Sequence, residues 1–296
     1  MDITYTIIIP HKDIPDLLQR CLDAIPQRVD VQVIVVDDNS NPDKVDFVQF
    51  PGLDRTNTEC YFTKEGKGAG YARNVGLQHA RGKWLLFADA DDFFHDGMLD
   101  MLDKWKDSDS EIVFFNYNSV DCDTLKPLGT RFVCRRTEDE LRYVHGCPWS
   151  KIIDRNFVTK NNILFDECCV NNDTMFSLKS GHLASKVSIS DDILYCSTER
   201  KGSLCYRFGI DVLLNRLWVN TRCNRFFYKH DLRQYYHSPI SLLCNIHQSF
   251  GIIVLFKALN IYFQYEPVVF IGKDIEKYFG YKYRGLKARL NNYLHK

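Results

Sequence analysis

The first part of the chain alternates short apolar runs with polar turns and an amphipathic stretch. Apolar, β-branched runs at 5–10 and 31–36 predict buried strands, and between them Leu17, Leu18 and Leu22 recur at helical spacing. A strand, a helix and a second buried strand in this order are typical of the unit that builds parallel sheets. The chain therefore opens with a predicted βαβ unit.

More elements of the same kind follow. Apolar stretches at 60–63, 84–88 and 111–117 predict strands, and a helix is predicted at 71–80, after a glycine-rich loop. Strands that alternate with helices are typical of an open α/β sheet, in which ligands collect beyond the carboxyl ends of the strands. The residues that follow each predicted strand are therefore the first candidates for a site.

Acidic and polar segments follow two of these strands. The segment 37–40 (DDNS) follows the second strand and 89–92 (DADD) follows the strand at 84–88, so both are expected at one shared site. Three carboxylates within four residues repel one another, which favours a bound Mg²⁺ or Mn²⁺ with phosphate as co-ligand. The alternatives are a solvated turn with capping aspartates at 89–92 and an Asx turn at 37–40.

Three further segments combine candidate chemistry with a structural alternative. The segment 66–74 (GKGAGYARN) offers glycines, Lys67 and Arg73 to a phosphate group, or forms a mobile surface loop. Asp173 fits either a helix N-cap or a general base that takes a proton from an acceptor hydroxyl. Trp149, in the segment PWSK, fits either a platform for a sugar ring or a core position.

The pattern changes near residue 205. Helical spacing of apolar residues recurs over 210–217, 249–263 and 277–296. We therefore predict a first domain at 1–208 and a helical, basic region at 209–296. The last twenty residues hold six Lys and Arg and no acid. This end is expected either to contact an anionic membrane or to pack on the main domain or on another subunit.

Composition is that of an ordinary soluble globular protein, with 45% hydrophobic and 26% charged residues. The formal net charge is +0, but residues 205–296 hold 14 Lys and Arg against 5 Asp and Glu, so the preceding part carries the opposite excess. The 11 cysteines form no CxxC pair, and neither a secretory pattern nor an apolar run of about 20 residues is found. We therefore expect free thiols, a cytoplasmic location and no membrane span.

Six segments, taken in order, resemble a known enzyme family. They are IIIPHKD, VVDDNS, GAGYARNVGLQHARGKWLLFADADDFF, PWSKIIDRNF, NDTMF and YCSTERKGS. Their order resembles the inverting glycosyltransferase family 2 over about residues 4 to 208, most specifically over Gly68 to Phe94. The resemblance implies a GT-A fold, which is a Rossmann-like α/β fold with a mixed sheet flanked by helices, here with a smaller helical C-terminal region.

The resemblance also implies an activity and residue roles. The activity would be transfer of a sugar from a nucleotide-sugar, usually a UDP-sugar, to a hydroxyl of a saccharide or lipid-linked acceptor, in polysaccharide or cell-surface glycan synthesis. Asp173 would be the catalytic base, Asp89 and Asp91 would hold Mn²⁺ or Mg²⁺, and Trp149 and Lys151 would bind the acceptor. The donor would be bound by Pro10, His11, Asp13, Asp38, Lys67, Arg73, Asp89, Ala90, Asp91, Asp92, Arg200 and Ser203.

The sequence departs from the family pattern at two places. The first strand is followed by His11-Lys12-Asp13, which leaves the choice of donor open. The acidic pair near the base is reduced to Asn172-Asp173, which keeps the Asp implied as base.

Two other functions stay open at this point. A nucleotidyltransferase also places metal-binding Asp residues on an α/β sheet, but the segment 10–13 (PHKD) lacks the glycines that its first loop needs. A non-catalytic membrane-surface binding protein with a degenerate transferase domain would not be expected to keep Asp89, Asp91 and Asp173. We expect no nucleic-acid partner. A location at the inner face of the plasma membrane and a homo-oligomer are further expectations.

Overall fold

The structure, a computed structural model, describes residues 2–200 and 208–265 of the chain. The strands are β1 (Tyr5–His11), β2 (Val31–Asp38), β3 (Thr58–Thr63), β4 (Trp84–Phe87), β5 (Phe93–Phe94), β6 (Ile112–Asp121), β7 (Pro127–Arg131), β8 (Lys151–Asp154) and β9 (Val187–Glu199). The helices are α1 (Pro15–Asp23), α2 (Ala69–His79), α3 (Met98–Asp103), α4 (Glu138–Tyr143), α5 (Arg155–Lys160), α6 (Thr174–Leu183), α7 (Ile210–Lys229) and α8 (Ile240–Tyr265), with 3₁₀ turns at Val133–Arg135 and Arg233–Tyr235. The chain divides into two compact units, Met1–Tyr206 and Arg207–Lys296.

One sheet runs through the first unit in the order β3-β2-β1-β4-β8-β6-β9-β5, and β7 pairs with β6. Strands β1 to β4 pair in parallel, as the opening βαβ pattern predicts. Strand β8 is antiparallel to both β4 and β6, while β9 runs parallel to β6 and antiparallel to β5. The sheet is therefore mixed and flanked by helices, which confirms the predicted fold class.

Different helices cover the two faces of the sheet. Successive side chains of a strand point to opposite faces, so Ile7 and Ile9 of β1 pack with Leu18 of α1, while Ile8 packs with Ala72 of α2. All of these side chains are fully buried. The continuous apolar run of β1 is thus explained by a strand that is covered on both sides.

The second half of the sheet was predicted only in part. The strand predicted at 111–117 is the beginning of β6, whereas β5, β7, β8 and β9 and the short helices α3 to α5 were not predicted. Strand β9 is 13 residues long, but its buried positions follow no regular alternation. Strand β8 has only 4 residues and begins with Lys151, which pattern rules count as polar.

The second unit contains α7 and α8, which pack against each other. Its core holds Leu213 and Leu217 of α7 with Leu243, Ile246 and Ala258 of α8. The helices predicted at 210–217 and 249–263 are therefore present and longer than predicted. The predicted amphipathic segment 277–296 lies outside the described residues.

One helical stretch of the described residues, Arg233–Gln264, is long and apolar enough to cross a membrane by length and composition alone. The sequence analysis found no uninterrupted apolar run of about 20 residues and predicted no membrane span. Within α8, however, Lys257 is the only residue with a formal charge, so a long apolar helix forms around it.

Candidate active site

The carboxyl ends of β1, β2 and β4 lie side by side and deliver the polar segments to one edge of the sheet. His11 at the end of β1 is opposite Asp37 of β2. Ile8 of β1 is opposite Phe87, the last residue of β4, and the acidic segment 89–92 begins two residues later. The expectation that 37–40 and 89–92 share one region is therefore met by the strand order.

Arg73 of α2 joins three parts of the chain that are far apart in sequence. Its guanidinium donates from Nη2 to Oδ1 of Asp89 at 2.5 Å and from Nη1 to Oδ1 of Asn172 at 2.7 Å. The side chain is buried, and its guanidinium carbon lies 5.3 Å from the centroid of the Phe165 ring. Asp173, the predicted base, directly follows Asn172. Arg73 thus brings the acidic segment next to the segment of the predicted base.

The start of α2 is pressed against the loop that leads to Asn172. A Cβ atom on Gly70 would lie only 1.9 Å from the carbonyl oxygen of Asp166, so no other residue fits there. Asn74 holds the same loop, because its side chain accepts from the Phe165 N–H and donates to the Phe165 carbonyl. The glycine at 70 therefore permits contact within the protein, rather than contact with a ligand as the sequence suggested.

Asp92 is held rigidly from β9. Its carboxylate accepts from the Tyr195 hydroxyl at 2.8 Å and from the Thr198 N–H at 2.6 Å, and it is buried. The Tyr195 hydroxyl also accepts from the N–H of Asp89 at 2.9 Å. Burial, together with the carboxylates of Asp89 and Asp91, raises the pKa of Asp92 well above its usual range. These contacts make Asp92 an anchor for the acidic segment.

Asp91 is fixed through its backbone and presents its side chain to an arginine. Its carbonyl oxygen accepts from the Thr198 hydroxyl at 2.7 Å and from Arg20 of α1 at 2.6 Å. Its carboxylate accepts from Nε of Arg200 at 2.8 Å.

The pKa of Asp89 reflects the charges around it. Burial raises this pKa, the guanidinium of Arg73 lowers it, and the Asp91 carboxylate raises it further. Crowded negative charge is thus a physical property of this segment.

The two aspartates at the end of β2 have different tasks. Asp37 binds Nδ1 of His11 at 2.7 Å and the Ser40 hydroxyl at 2.5 Å. Asp38 accepts from the Gly68 N–H on Oδ2 at 2.7 Å. Its other oxygen, Oδ1, is buried and has no hydrogen-bond partner among the described residues. Asp37 therefore stabilises the loop, while one carboxylate oxygen of Asp38 makes no hydrogen bond to the described residues.

Asp173 lies at the N-terminus of α6, but its carboxylate makes no capping hydrogen bond among the residues described. Burial raises its pKa, the Arg73 guanidinium opposes the shift, and the Asp89 carboxylate adds to it. A carboxylate that is not used as a cap and has a raised pKa is suited to accept a proton. The N-cap alternative is therefore the weaker interpretation of this residue.

Comparison with known proteins agrees with this geometry. The family model "Glycosyl transferase family 2" matches residues 6–172. The chain belongs to this family. The match contains the acidic segment, Arg73 and Asn172, and it ends one residue before Asp173. Glycosyl transferase family 2 membership identifies the chain as a glycosyltransferase and confirms the resemblance drawn from the ordered segments.

Individual family members share only low sequence identity with this chain. The cholesterol galactosyltransferase of Borreliella burgdorferi is 25% identical, in an alignment that covers 72% of this chain and 68% of that protein. The glycosyltransferase EpsJ of Bacillus subtilis is 26% identical over 67% of this chain and 62% of its own length. Among solved structures, residues 1–349 of TarS from S. aureus in complex with UDP-GlcNAc align with a TM-score of 0.67 at 19% identity, over 90% of this chain and 82% of that one. The structural likeness supports the fold.

The remaining donor residues predicted from the family occupy varied surroundings. Both ring nitrogens of His11 are engaged, because Nε2 accepts from the N–H of Ile14 at 3.2 Å. The Asp13 carboxylate accepts from the Asn41 N–H at 2.8 Å. Lys67 is half-exposed, with its ammonium 4.7 Å from the Tyr71 ring centroid. Pro10 and Ala90 are buried, and Ser203 lies outside the described residues. Their contacts with a nucleotide stay predictions.

The two residues predicted to bind the acceptor are on or beside β8. The Trp149 indole stacks on the Tyr195 ring, with centroids 5.1 Å apart. Lys151 is buried and donates to the Ser177 hydroxyl of α6 at 3.1 Å. Burial lowers the pKa of Lys151 to about 8. Both side chains contact the protein here, and their contact with an acceptor stays a prediction.

Sequence reasoning missed the residues of β9 and α1 that fix the acidic segment. Tyr195 and Thr198 were noted only as part of the segment YCSTERKGS, and Arg20 was not singled out. Each makes its contact with the segment 89–92 across 71 to 107 residues of sequence. The pairing of Phe94 with Tyr195, which brings β9 here, is a long-range contact that no local pattern reveals.

Proposed function

We propose that this glycosyltransferase moves a sugar from a UDP-sugar to an acceptor hydroxyl, with inversion at the anomeric carbon and with help from a divalent cation. The observation that carries the proposal is the bridge from Asp89 through Arg73 to Asn172. It joins the residues expected at the donor's diphosphate to the segment that holds the expected base, Asp173. Donor and acceptor chemistry can therefore meet at one place.

The unpartnered Oδ1 of Asp38 supports uridine as the nucleoside. A buried carboxylate oxygen is costly when it lacks a hydrogen bond, so a ligand that donates one is favoured. The uracil ring offers an N–H donor, whereas cytosine presents a lone pair at the same ring position. The TarS structure with UDP-GlcNAc, which has the same fold, agrees with this choice of nucleotide.

The acidic segment suits a divalent cation by its donor chemistry. Asp89 and Asp91 offer hard carboxylate oxygens, which Mg²⁺ and Mn²⁺ prefer. The described residues contain no cluster of three metal-binding side chains, so phosphate oxygens of the donor would have to complete the coordination. When bound, the cation would offset negative charge on the leaving diphosphate. A mannosyltransferase from Pyrobaculum calidifontis, solved with GDP-Man and Mn²⁺, aligns with a TM-score of 0.56.

The protein groups then act in a single displacement. Asp173 takes the proton of the acceptor hydroxyl, whose oxygen attacks the anomeric carbon from the face opposite the leaving group. The bond between that carbon and the diphosphate oxygen breaks, and the nucleoside diphosphate leaves with the electron pair. Arg73, fixed by its buried contacts, keeps positive charge beside Asp89 throughout.

A donor panel tests the proposal. The protein is mixed with UDP-, GDP-, CMP- and dTDP-sugars, with Mn²⁺, Mg²⁺ or EDTA, and both thermal stabilisation and release of the nucleotide are measured. We expect UDP-sugars to stabilise the protein more than the others, and EDTA to weaken the effect. Equal stabilisation by UDP-sugars and CMP-sugars would contradict the role of Asp38, and transfer that EDTA leaves unchanged would contradict the cation.

The matched variant for the donor panel is Asp38→Asn. It removes the free carboxylate oxygen and is expected to lower UDP affinity about tenfold, because one hydrogen bond to a charged group is lost. Asp43→Asn, an exposed change in the following loop, should leave UDP affinity unchanged.

The acceptor is proposed to belong to the cell envelope. Relatives include the cholesterol galactosyltransferase and the poly(ribitol-phosphate) beta-glucosyltransferase of Bacillus spizizenii, which is 24% identical over 64% of this chain. The names of these relatives give a sterol and a poly(ribitol-phosphate) chain as acceptors. They favour a saccharide or lipid-linked acceptor here, and a cytoplasmic enzyme at the inner face of the plasma membrane. The basic residues 277–296 are proposed to approach that surface, and packing on a second copy is the alternative. Fractionation of cells that express the full chain tests the location.

A further inference from the structure

Helix α8 consists of two parts with one common packing face. Gly251, with φ 77° and ψ −174°, interrupts the helix between Phe250 and Ile252. Leu243 and Ile246 before the kink and Ala258 after it are buried in the core that α8 forms with α7. Both parts therefore pack one face against α7, and the other face of each part points away from this core.

The outward faces of the two parts differ in chemistry. Before the kink, the exposed residues are polar: Ser241, Asn245, His247, Gln248 and Ser249. After the kink, Lys257, Asn260 and Gln264 are exposed, but so are large apolar side chains: Ile252 by 52%, Ile253 by 73%, Phe256 by 65% and Phe263 by 59%. Single exposed apolar residues are common on proteins, but a contiguous group indicates a surface that is covered by something else.

Most of the apolar surface of this helix lies outside the core that α8 forms with α7. Only 11% of its most apolar 18-residue stretch is buried inside the structure. The part after the kink, Ile252 to Tyr265, is about 21 Å long at about 1.5 Å per residue, and the hydrocarbon layer of a bilayer is about 30 Å thick. Over the described residues the apolar part is therefore shorter than the hydrocarbon layer, and its length suits a helix that lies along a membrane surface.

Charge favours an anionic surface. The described residues of the second unit, 208–265, include six Lys and Arg and two Asp. Lys257 is exposed one residue after Phe256, and Arg225 and Lys229 are exposed on α7. A positive unit that presents an apolar helical face has both features of helices that bind at the headgroup level of anionic bilayers.

We propose that the outward face of α8 after Gly251, formed by Ile252, Ile253, Phe256 and Phe263, inserts into the headgroup boundary of an anionic phospholipid membrane. The site lies within the second unit and does not depend on the basic residues 277–296. It would hold the enzyme at the surface where lipid-linked acceptors reside. Binding is measured without any sugar transfer, so failure of this proposal leaves the proposed activity untouched.

Vesicle binding by the full-length protein tests the proposal. Vesicles of phosphatidylcholine alone and of equimolar phosphatidylcholine and phosphatidylglycerol are sedimented with the wild type and with the double variant Ile253→Ser, Phe256→Ser. We expect the wild type to bind the anionic vesicles, and the double variant to bind them at least about tenfold more weakly, because two large apolar side chains no longer insert. The control Asn245→Ser, Gln248→Ser, on the polar part of the same helix, should bind as the wild type.

Three results would overturn the proposal. The first is equal binding of the wild type and the Ile253, Phe256 variant, which would assign vesicle binding to another segment. The second is a dimer in lipid-free buffer that this variant abolishes, which would make a second copy the occupant of the face. The third is protein that stays with the vesicles in alkaline carbonate, which would indicate a spanning helix.

A milder substitution checks the depth without the risk of misfolding. Phe256→Trp and Asn245→Trp are compared with the wild type in vesicles whose acyl chains carry bromine, which quenches indole fluorescence at short range. Extra quenching for the tryptophan at 256, and none for the tryptophan at 245, is the expected result. Equal quenching at the two positions would contradict an inserted face.

Discussion

The two halves of the sheet contribute different chemistry to the candidate site. The parallel half, β3-β2-β1-β4, ends in the carboxylates of Asp38, Asp89 and Asp91. The mixed half, β8-β6-β9-β5, contributes the neutral hydrogen-bonding groups of Tyr195 and Thr198, which hold the acidic segment in place. Negative charge thus comes from the parallel half, and neutral hydrogen bonds that position it come from the mixed half.

This division has a physical reason. Burial raises the pKa of Asp89 and Asp92, and repulsion from neighbouring carboxylates raises it further. Hydrogen bonds from Tyr195 and Thr198 fix the segment without adding charge, and the Arg73 guanidinium offsets the repulsion by pairing with Asp89. If this comparison is correct, changes in the charged groups should alter chemistry most, and changes in the positioning groups should alter it less.

The largest effect is expected for Asp173→Asn. The amide cannot accept the proton of an acceptor hydroxyl, so kcat should fall about 10³-fold while donor affinity stays within about twofold. Transfer rates and UDP binding by calorimetry measure the two quantities. The control Asp109→Asn removes an exposed carboxylate paired with Lys186 and should change neither quantity.

The pH dependence of the wild type provides a second check on this base. Because burial raises the pKa of Asp173, the residue takes up its proton at a higher pH than an ordinary Asp. The base works unprotonated, so kcat should fall on acidification with a midpoint above about 4. A wild-type rate that is flat down to pH about 4, or an Asn variant that keeps a rate within about tenfold, would contradict the assignment.

The next largest effect is expected for Arg73→Lys. Lysine keeps the charge but cannot contact both Asp89 and Asn172 in the planar geometry of the guanidinium. Loss of one charge-assisted hydrogen bond costs about 2–3 kcal/mol, so kcat/KM should fall about 30- to 160-fold. Arg81→Lys, at an exposed pair with Glu59, is the matched control and should be neutral. An unchanged kcat/KM in Arg73→Lys would break the proposed bridge.

The parallel half could be predicted from the sequence because its information is local. Asp38 and Asp89 directly follow apolar strands, and parallel strands bring their carboxyl ends together. The bridge from Arg73 to Asn172 spans 99 residues and depends on tertiary packing. The sequence interpretation counted Asn172 as a reduced acidic pair. The structure gives the amide a role, since its oxygen accepts from Arg73 without competing for the guanidinium charge as a second carboxylate would.

A smaller effect is expected for Tyr195→Phe in the mixed half. The ring stays stacked on Trp149, but the hydroxyl that accepts from Asp89 and donates to Asp92 is lost. We expect about tenfold lower kcat/KM and a loss of about 1–2 kcal/mol in the free energy of unfolding. Tyr228→Phe, at an exposed position of α7, is the control. A loss of activity as large as that of Asp173→Asn would show that positioning and charge are not separable in this site.

The smallest effect on activity is expected for Lys151→Met, which tests whether this buried lysine belongs to the acceptor site or to the core of the mixed half. The double variant Lys151→Met, Ser177→Ala is compared with the single variant Ser177→Ala. Both lack the Ser177 hydroxyl, so removal of Lys151 leaves no unpaired hydroxyl behind. If Lys151 acts only within the core, transfer rates of the two proteins should agree. A selective rise in the KM of the acceptor would instead place Lys151 at the acceptor.

The unfolding free energy should distinguish the same two proteins by its pH dependence. Burial lowers the pKa of Lys151 to about 8, whereas an unfolded lysine titrates near about 10.4. Between pH about 8 and about 10.4, Lys151 is protonated in the unfolded chain but neutral in the folded protein. The free energy of unfolding therefore rises with pH over this range, by up to about 3 kcal/mol in total. Below pH about 8 the folded protein must bury the ammonium, which disfavours folding. The Met protein lacks this rise, so it should be the more stable one at neutral pH, with a difference that shrinks toward pH about 10. Parallel pH profiles would mean that the lysine keeps its ordinary pKa through a contact with water.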